Sequence, residues 1–173
     1  MSETSQKERL FAASEAYPPI CAAGENRAYA RAMLDNVGGL RSEMNAVSIY
    51  FYNSLIVADK CDAAEAFHKI SIVEMHHLHI FATLAKQLGE VPRLWGFQGC
   101  RRVYWSPCYN KYTSELKPML LQAIENEQQT IKKYESQRQC IYDENIRANL
   151  SRIILDEELH ISIYETLYRK YFC

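Results

Sequence analysis

The sequence is poor in the residues that break helices: its 173 residues include 6 glycines and 5 prolines. Most of these fall into two clusters. One holds Pro18, Pro19 and Gly24, the other Gly89, Pro92, Gly96, Gly99 and Pro107, which leaves long uninterrupted segments between them. No Cys-x-x-Cys pair occurs among Cys21, Cys61, Cys100, Cys108, Cys140 and Cys173, so spacing provides neither a zinc knuckle nor a rubredoxin-type iron centre. The six read as free thiols of a cytosolic chain, with Cys100 and Cys108, in one loop, the pair to watch. An excess of charge of one sign is also missing. Twenty Lys and Arg face 21 Asp and Glu, a formal net charge of −1, which argues against nucleic acid or an anionic membrane as partner. No apolar run reaches the roughly 18–20 residues that span a bilayer. The nearest, residues 46–58, is interrupted by Ser48, Asn53 and Ser54. The polar start MSETSQKERL lacks the apolar core of a signal peptide. These absences predict a soluble, cytoplasmic protein.

What remains is helical. Apolar periodicity predicts helices over about 27–58, 62–88, 115–140 and 143–171, with a short extra helix within 1–20. Asp62-x-x-Glu65 resembles a capping box for the second helix, and Asp143 can cap the fourth. Pro118 falls in the first turn of the third, where a missing N–H costs little. Two short connections flank one of about 25 residues, the pattern of a bundle of two antiparallel pairs joined by a single crossover. Gly38-Gly39 within the first helix signals either a close approach or a kink. The expected organisation is an amino-terminal extension over 1–26 and an all-α four-helix bundle over 27–173.

An internal repeat carries the strongest functional signal. Residues 72–84 align with 155–167 at an offset of 83, with Glu, His, Ile, Thr and Leu recurring. Glu43 and Tyr50 recur as Glu127 and Tyr134 at an offset of 84. Residues i and i+3 of a helix share a face about 5–6 Å apart, so Glu74 with His77, and Glu157 with His160, can each grip one metal. Two such helices, with one glutamate from each of two others, give the ligand set of a dinuclear carboxylate site. Glu74 and Glu157 are expected to bridge. Glu43 with His77 completes one metal, and Glu127 with His160 the other. Oxygen and imidazole ligands suit iron or manganese.

Glu65-x-x-His68 also fits the motif, but lies nine residues before Glu74, about 900° around the helix and so on the opposite face. His76 and His79 point about 100° and 200° away from His77 and read as surface or packing residues. Asp156 precedes Glu157 and can reach His77; its repeat partner is Val73, so His160 lacks the same support. Tyr50 and Tyr134 lie near the ligand face, either to hydrogen-bond ligands or as ordinary core.

On Ser42-Glu43, Glu74-Met75-His76-His77, Ala123-Ile124-Glu125-Asn126-Glu127 and Asp156-Glu157-Glu158-Leu159-His160, the chain resembles the ferritin-like superfamily over about 27–171. Bacterioferritins and rubrerythrin-like proteins are the members it is most similar to. The resemblance implies two iron ions per chain, with manganese as the alternative, oxidising Fe(II) with dioxygen or hydrogen peroxide. A separate electron-donor protein could serve such a centre. An iron-storage shell subunit, a di-manganese catalase and a metal-free bundle are the other readings. Thr130 stands where rubrerythrins carry a further carboxylate. Met75 stands where bacterioferritins place a haem-ligating methionine, though a helical methionine more often packs, and haem is not expected. The last helix ends near Cys173 with no fifth helix after it, so a homodimer is expected ahead of a larger homo-oligomer. The crossover rings, Trp95, Phe97, Tyr104, Trp105, Tyr109 and Tyr112, are expected to pack on the bundle or a partner subunit.

Overall fold

The computed structural model describes residues 11–173. Of the short helix expected within 1–20, residues 1–10 lie outside the described residues, and 11–20 form no helix. Five helices follow: α1 (Arg27–Gly38), α2 (Glu43–Ile56), α3 (Cys61–Gln87), α4 (Leu116–Cys140) and α5 (Glu144–Phe172). α2 pairs with α3, and α4 with α5, while α1 packs on α3. Two antiparallel pairs joined by one crossover make the four-helix bundle, with α1 and α2 together filling the place of its first helix.

That first helix is broken, where one continuous helix over 27–58 was expected. Asn26 caps α1, its side chain accepting from the N–H groups of Ala28 and Tyr29 at 3.0 and 3.1 Å. The helix then stops at Gly38, and α2 starts again after Ser42. Lys133 of α4 holds the break closed. Its Nζ donates to the Asp35 and Arg41 carbonyls at 3.1 and 2.6 Å and pairs with the Asp35 carboxylate at 3.0 Å. The Arg41 carbonyl in the break thus finds a charged donor, and the Asp35 carbonyl gains a second one beside the Gly39 N–H. Close approach and interruption coincide here: a Cβ on Gly38 would sit 2.5 Å from the Trp95 nitrogen.

Trp95 belongs to a hairpin that the sequence reading did not foresee. Strands β1 (Trp95–Gln98) and β2 (Arg101–Tyr104) pair antiparallel around a two-residue turn with Gly99 at φ 58°. Trp95 and Phe97 sit on one face and pack against the core. Arg102 and Arg31 lie over their rings at 4.1 and 4.2 Å. A short 3₁₀ turn, Pro107–Tyr109, completes the crossover. Trp105 donates to Asn45 at 2.6 Å, and Asn110 to Ser48 at 2.7 Å, tying it to α2.

Asp143 caps α5 as expected, accepting from Asn145 and Ile146. Asp62 does not cap α3. It lies one position inside the helix, pairs with Lys170 at 2.6 Å and accepts from the Tyr171 hydroxyl. The six cysteines are free and exposed. No helix among the described residues is long and apolar enough to cross a membrane.

The apolar core is divided. One cluster contains Met33, Leu34, Ile80, Phe81, Leu84, Ile146 and Leu150. The other contains Ile49, Phe67, Ile70, Met119, Leu120 and Tyr164. The polar site lies where the two meet, so the bundle surrounds it on both sides with largely apolar side chains. On the hairpin side, Gly96 packs on Gly39, and a Cβ there would meet the Gly39 nitrogen at 2.7 Å. Gly24 meets nothing within 4 Å. Thermal unfolding is expected to show Gly96→Ala destabilised by about 1–3 kcal/mol through overpacking. Gly24→Ala should stay within about 0.5 kcal/mol.

Candidate metal centre

Each of the four long helices contributes one glutamate, and α3 and α5 add a histidine. Glu43, Glu74, His77, Glu127, Glu157 and His160 are all at most 1% exposed. They form two groups whose ligand atoms lie within 4.8 Å of one another: Glu43, Glu74, His77 and Glu157, and Glu74, Glu127, Glu157 and His160. Glu74 and Glu157 are common to both. Their i, i+3 spacing brings Glu74 Oε2 to 3.2 Å from His77 Nδ1 and Glu157 Oε2 to 3.1 Å from His160 Nδ1. The pairs also cross between helices, with Glu74 Oε1 3.0 Å from His160 Nδ1 and Glu157 Oε1 3.4 Å from His77 Nδ1.

The outer nitrogens of the two imidazoles are engaged differently. His77 Nε2 lies 2.9 Å from Asp156 Oδ2, the carboxylate proposed for it from sequence. His160 Nε2 lies 3.0 Å from the carbonyl oxygen of Phe11. Both outer partners can accept a hydrogen bond, and a carbonyl can do nothing else, so each Nε2 carries the hydrogen. Each Nδ1 is then directed at carboxylate oxygens. Asp156 is itself held by Arg152 at 2.7 Å, the Ala13 N–H at 2.7 Å and the Tyr17 hydroxyl. Tyr50 donates to Glu127, and Tyr134 to Glu43, so each unshared glutamate has a buried phenol as partner.

Electrostatics show how far this cluster departs from an ordinary core. Burial, with the charges of Glu74 and Glu157 close by, pushes Glu43 and Glu127 well above the usual carboxylate range. Burial also pushes on Glu74, but hydrogen bonds from His160 and His77 outweigh it and hold that carboxyl far below its usual value. Burial opposes charge on the histidines too. Asp156 and Glu157 nevertheless raise His77 well above its ordinary value, and Glu157 and Glu74 raise His160 to about 10. Asp156 is held down, against its burial, at about 2 by His77, Tyr17 and Arg152. The phenols of Tyr50 and Tyr134 are kept protonated by burial and the neighbouring carboxylates.

A pair of metal ions fits this donor set. In the metal-free fold a proton on each Nδ1 lies between the imidazole and the carboxylate oxygens; once that proton leaves, the Nδ1 lone pair and those oxygens converge on one position, which a metal cation can take. Glu74 Oε1 and Glu157 Oε1 are buried 3.0 and 3.4 Å from the Nδ1 atoms of His160 and His77, oriented for such a cation. Four carboxylates match the charge of two divalent ions, and because Glu74 and Glu157 each turn one oxygen toward His77 and the other toward His160, both could serve both ions. Glu65 and His68, the competing pair, are exposed, as are His76, His79 and Met75. The sequence reading missed Phe11, Tyr17 and Arg152. Arg152 offered a signal, four residues before Asp156 on one helix face. Phe11 offered none, because its contribution is a backbone carbonyl.

The rubrerythrin family model matches residues 38–168. The chain belongs to the rubrerythrin family. The fold is also that of two ferritin-like proteins of known structure. KatB, a manganese catalase from Anabaena, superposes with a TM-score of 0.82 at 19% identity, covering 91% of this chain and 78% of that one. The bacterioferritin of Rhodobacter capsulatus, whose structure has a metal-free dinuclear site and haem iron, gives 0.68 at 23% identity, covering 84% and 89%. No curated protein matches the chain. The family match begins at residue 38, so Phe11, Tyr17 and the rest of that segment lie outside it.

The linkage has a definite sign. His160 titrates at about 6.5 when unfolded and near 10 in the metal-free fold. Between those values the folded state holds a proton that the unfolded state has lost, so its contribution to stability falls as pH rises. Glu43, Glu127 and His77 are shifted in the same direction. Metal-free protein should therefore lose thermal stability from pH 6.5 to 10. Metal-loaded protein should lose less, because ligation replaces the protons. Melting curves across that range, with and without metal, are the check.

Proposed function

We propose that this rubrerythrin-family chain is a dinuclear metal oxidoreductase that reduces a small oxidant, hydrogen peroxide or dioxygen, at two iron ions. The observation that carries the reading is the pair of four-residue groups sharing Glu74 and Glu157, each completed by one further glutamate and one histidine Nδ1. In this reading Glu43 and His77 serve one ion, Glu127 and His160 the other, and Glu74 and Glu157 both. Bound iron supplies the electrons for reducing an O–O bond.

The protein's own residues account for the remaining requirements. Reducing hydrogen peroxide to water consumes protons as well as electrons. The phenols of Tyr50 and Tyr134, kept protonated by burial and donating to Glu127 and Glu43, hold protons beside the reacting position. A cavity of about 260 Å³ opens between α2 and α4 and reaches Tyr50 and Glu127, with Arg41, Lys111 and Asn126 among its lining. It provides a polar route suited to a small oxidant. Apolar clusters on both sides exclude bulk water from the rest of the site.

A second reading, peroxide disproportionation at two manganese ions, has an observation in its favour. Thr130 replaces the further carboxylate of rubrerythrins, and no cysteine joins a metal-type cluster among the described residues. Disproportionation needs no electron donor, since peroxide is both oxidant and reductant. The manganese catalase named above shares the fold.

Anaerobic loading with Fe(II) or Mn(II), followed by mixing with peroxide or dioxygen, tests both. The first reading expects two Fe(II) per chain, oxidised much faster than free Fe(II), and Glu157→Ala retaining neither ion. Oxygen release from the manganese form would assign the second. Absence of stoichiometric metal would overturn both, and uptake of iron far beyond two per chain would point to storage.

A further inference from the structure

The segment before α1 lies along the bundle as a strap. It is tied at many points: Arg152 to the Ala13 and Glu15 carbonyls at 2.8 and 2.7 Å, Asn149 to Pro19 at 3.1 Å, and Gln87 to Ile20 and Ala22 at 3.0 and 2.8 Å. Phe11 packs on one apolar cluster, and Tyr17, Ile20 and Ala22 on the other. The strap thus spans the seam where the site lies. Along that seam it meets the outer side of both histidines. The Phe11 carbonyl lies 3.0 Å from His160 Nε2. Tyr17 donates to Asp156 Oδ2, the oxygen that faces His77, and lies 3.4 Å from His77 Nε2 itself. Arg152 stacks 4.0 Å over the Tyr17 ring and pairs with Asp156, closing that arrangement.

Resting on the dinuclear reading, we propose that the strap is the outer layer of the metal site and that it makes the two metal positions unequal. Phe11 is the positioning residue for His160, and Tyr17, through Asp156, for His77. The inequality follows from the chemistry of the partners. His77 is backed by an ionised carboxylate on α5, which stays in place without the strap because Arg152 also holds it. His160 is backed by a neutral carbonyl that belongs to the strap alone. A ligating histidine that loses its outer partner typically costs 10–100-fold in metal affinity. Loss of Phe11 should therefore weaken one metal position and spare the other. The strap lies before the matched family region.

The test is anaerobic Co(II) titration, followed by absorption, of the full chain and of a chain lacking residues 1–11. The shortened chain keeps the Ala13, Glu15 and Tyr17 contacts. The expected result is two Co(II) per chain in both, with one equivalent bound about 10-fold more weakly after truncation and the other within about 3-fold. ¹⁵N-histidine spectra of the zinc-loaded proteins give a readout independent of affinity. The His160 Nε2–H should begin to exchange rapidly with water while that of His77 stays protected. Tyr17→Phe, in the full chain, should do the reverse, changing the His77 signal and leaving that of His160 unchanged. Equal affinities before and after truncation, or equal weakening of both positions, would overturn the strap's role while leaving the dinuclear site standing. A full chain that binds no Co(II) would overturn both. If truncation prevents folding, the Tyr17→Phe spectra decide alone, and unchanged histidine signals there would reject the proposal.

Discussion

Four carboxylates and two imidazoles enclosed by apolar side chains are the constraint on which the rest of this structure depends. Ionised groups are expensive to bury, and four acidic ones cannot all ionise side by side without compensation. In the metal-free fold, protons provide it: Glu43 and Glu127 keep theirs, and His77 and His160 gain theirs. Two divalent ions would provide the same compensation with the positive charge placed at the centre of the six ligands. The bundle arranges this economically, one glutamate per long helix and one histidine on each of two, because i, i+3 spacing brings a carboxylate and an imidazole to one face.

Around that centre each polar group has a specific support. Two of the buried tyrosines cross to the opposite pair, Tyr50 of α2 to Glu127 of α4, and Tyr134 of α4 to Glu43 of α2. These crossed bonds fix α2 against α4 at the depth of the site, where apolar packing alone would not specify register. Lys133 performs a related service at the break before Glu43, holding the Asp35 and Arg41 carbonyls so that α2 can restart at the ligand. The outer imidazole nitrogens are met from one side by α5 and from the other by the strap. The site is therefore built by residues from 11 to 160, well beyond the six that face its centre.

What could be read from the sequence is explained by how each feature is encoded. The six inward residues announce themselves because helical spacing turns a three-residue interval into proximity, and the repeat at offsets of 83 and 84 marks equal depth in two pairs. Asp156 was legible for the same reason. The helix break at Gly38-Gly39 was legible only as a choice between approach and kink, since its cause is the distant Trp95 backbone. The hairpin escaped because its strands span four residues each; its signal was Gly99 just after the alternating Trp95 and Phe97. Residues 11–17 were opaque because their contribution includes a main-chain carbonyl and an N–H, which every residue carries.

The most direct test of the account is a crystal structure of the manganese- or iron-loaded protein with anomalous data collected at the metal edge. The account predicts two anomalous peaks per chain, about 3.5–4 Å apart. Both should contact Glu74 and Glu157, one completed by Glu43 and His77 Nδ1 and the other by Glu127 and His160 Nδ1. A single peak, or ions bound through the outer Nε2 atoms or at the exposed Glu65 and His68, would contradict it.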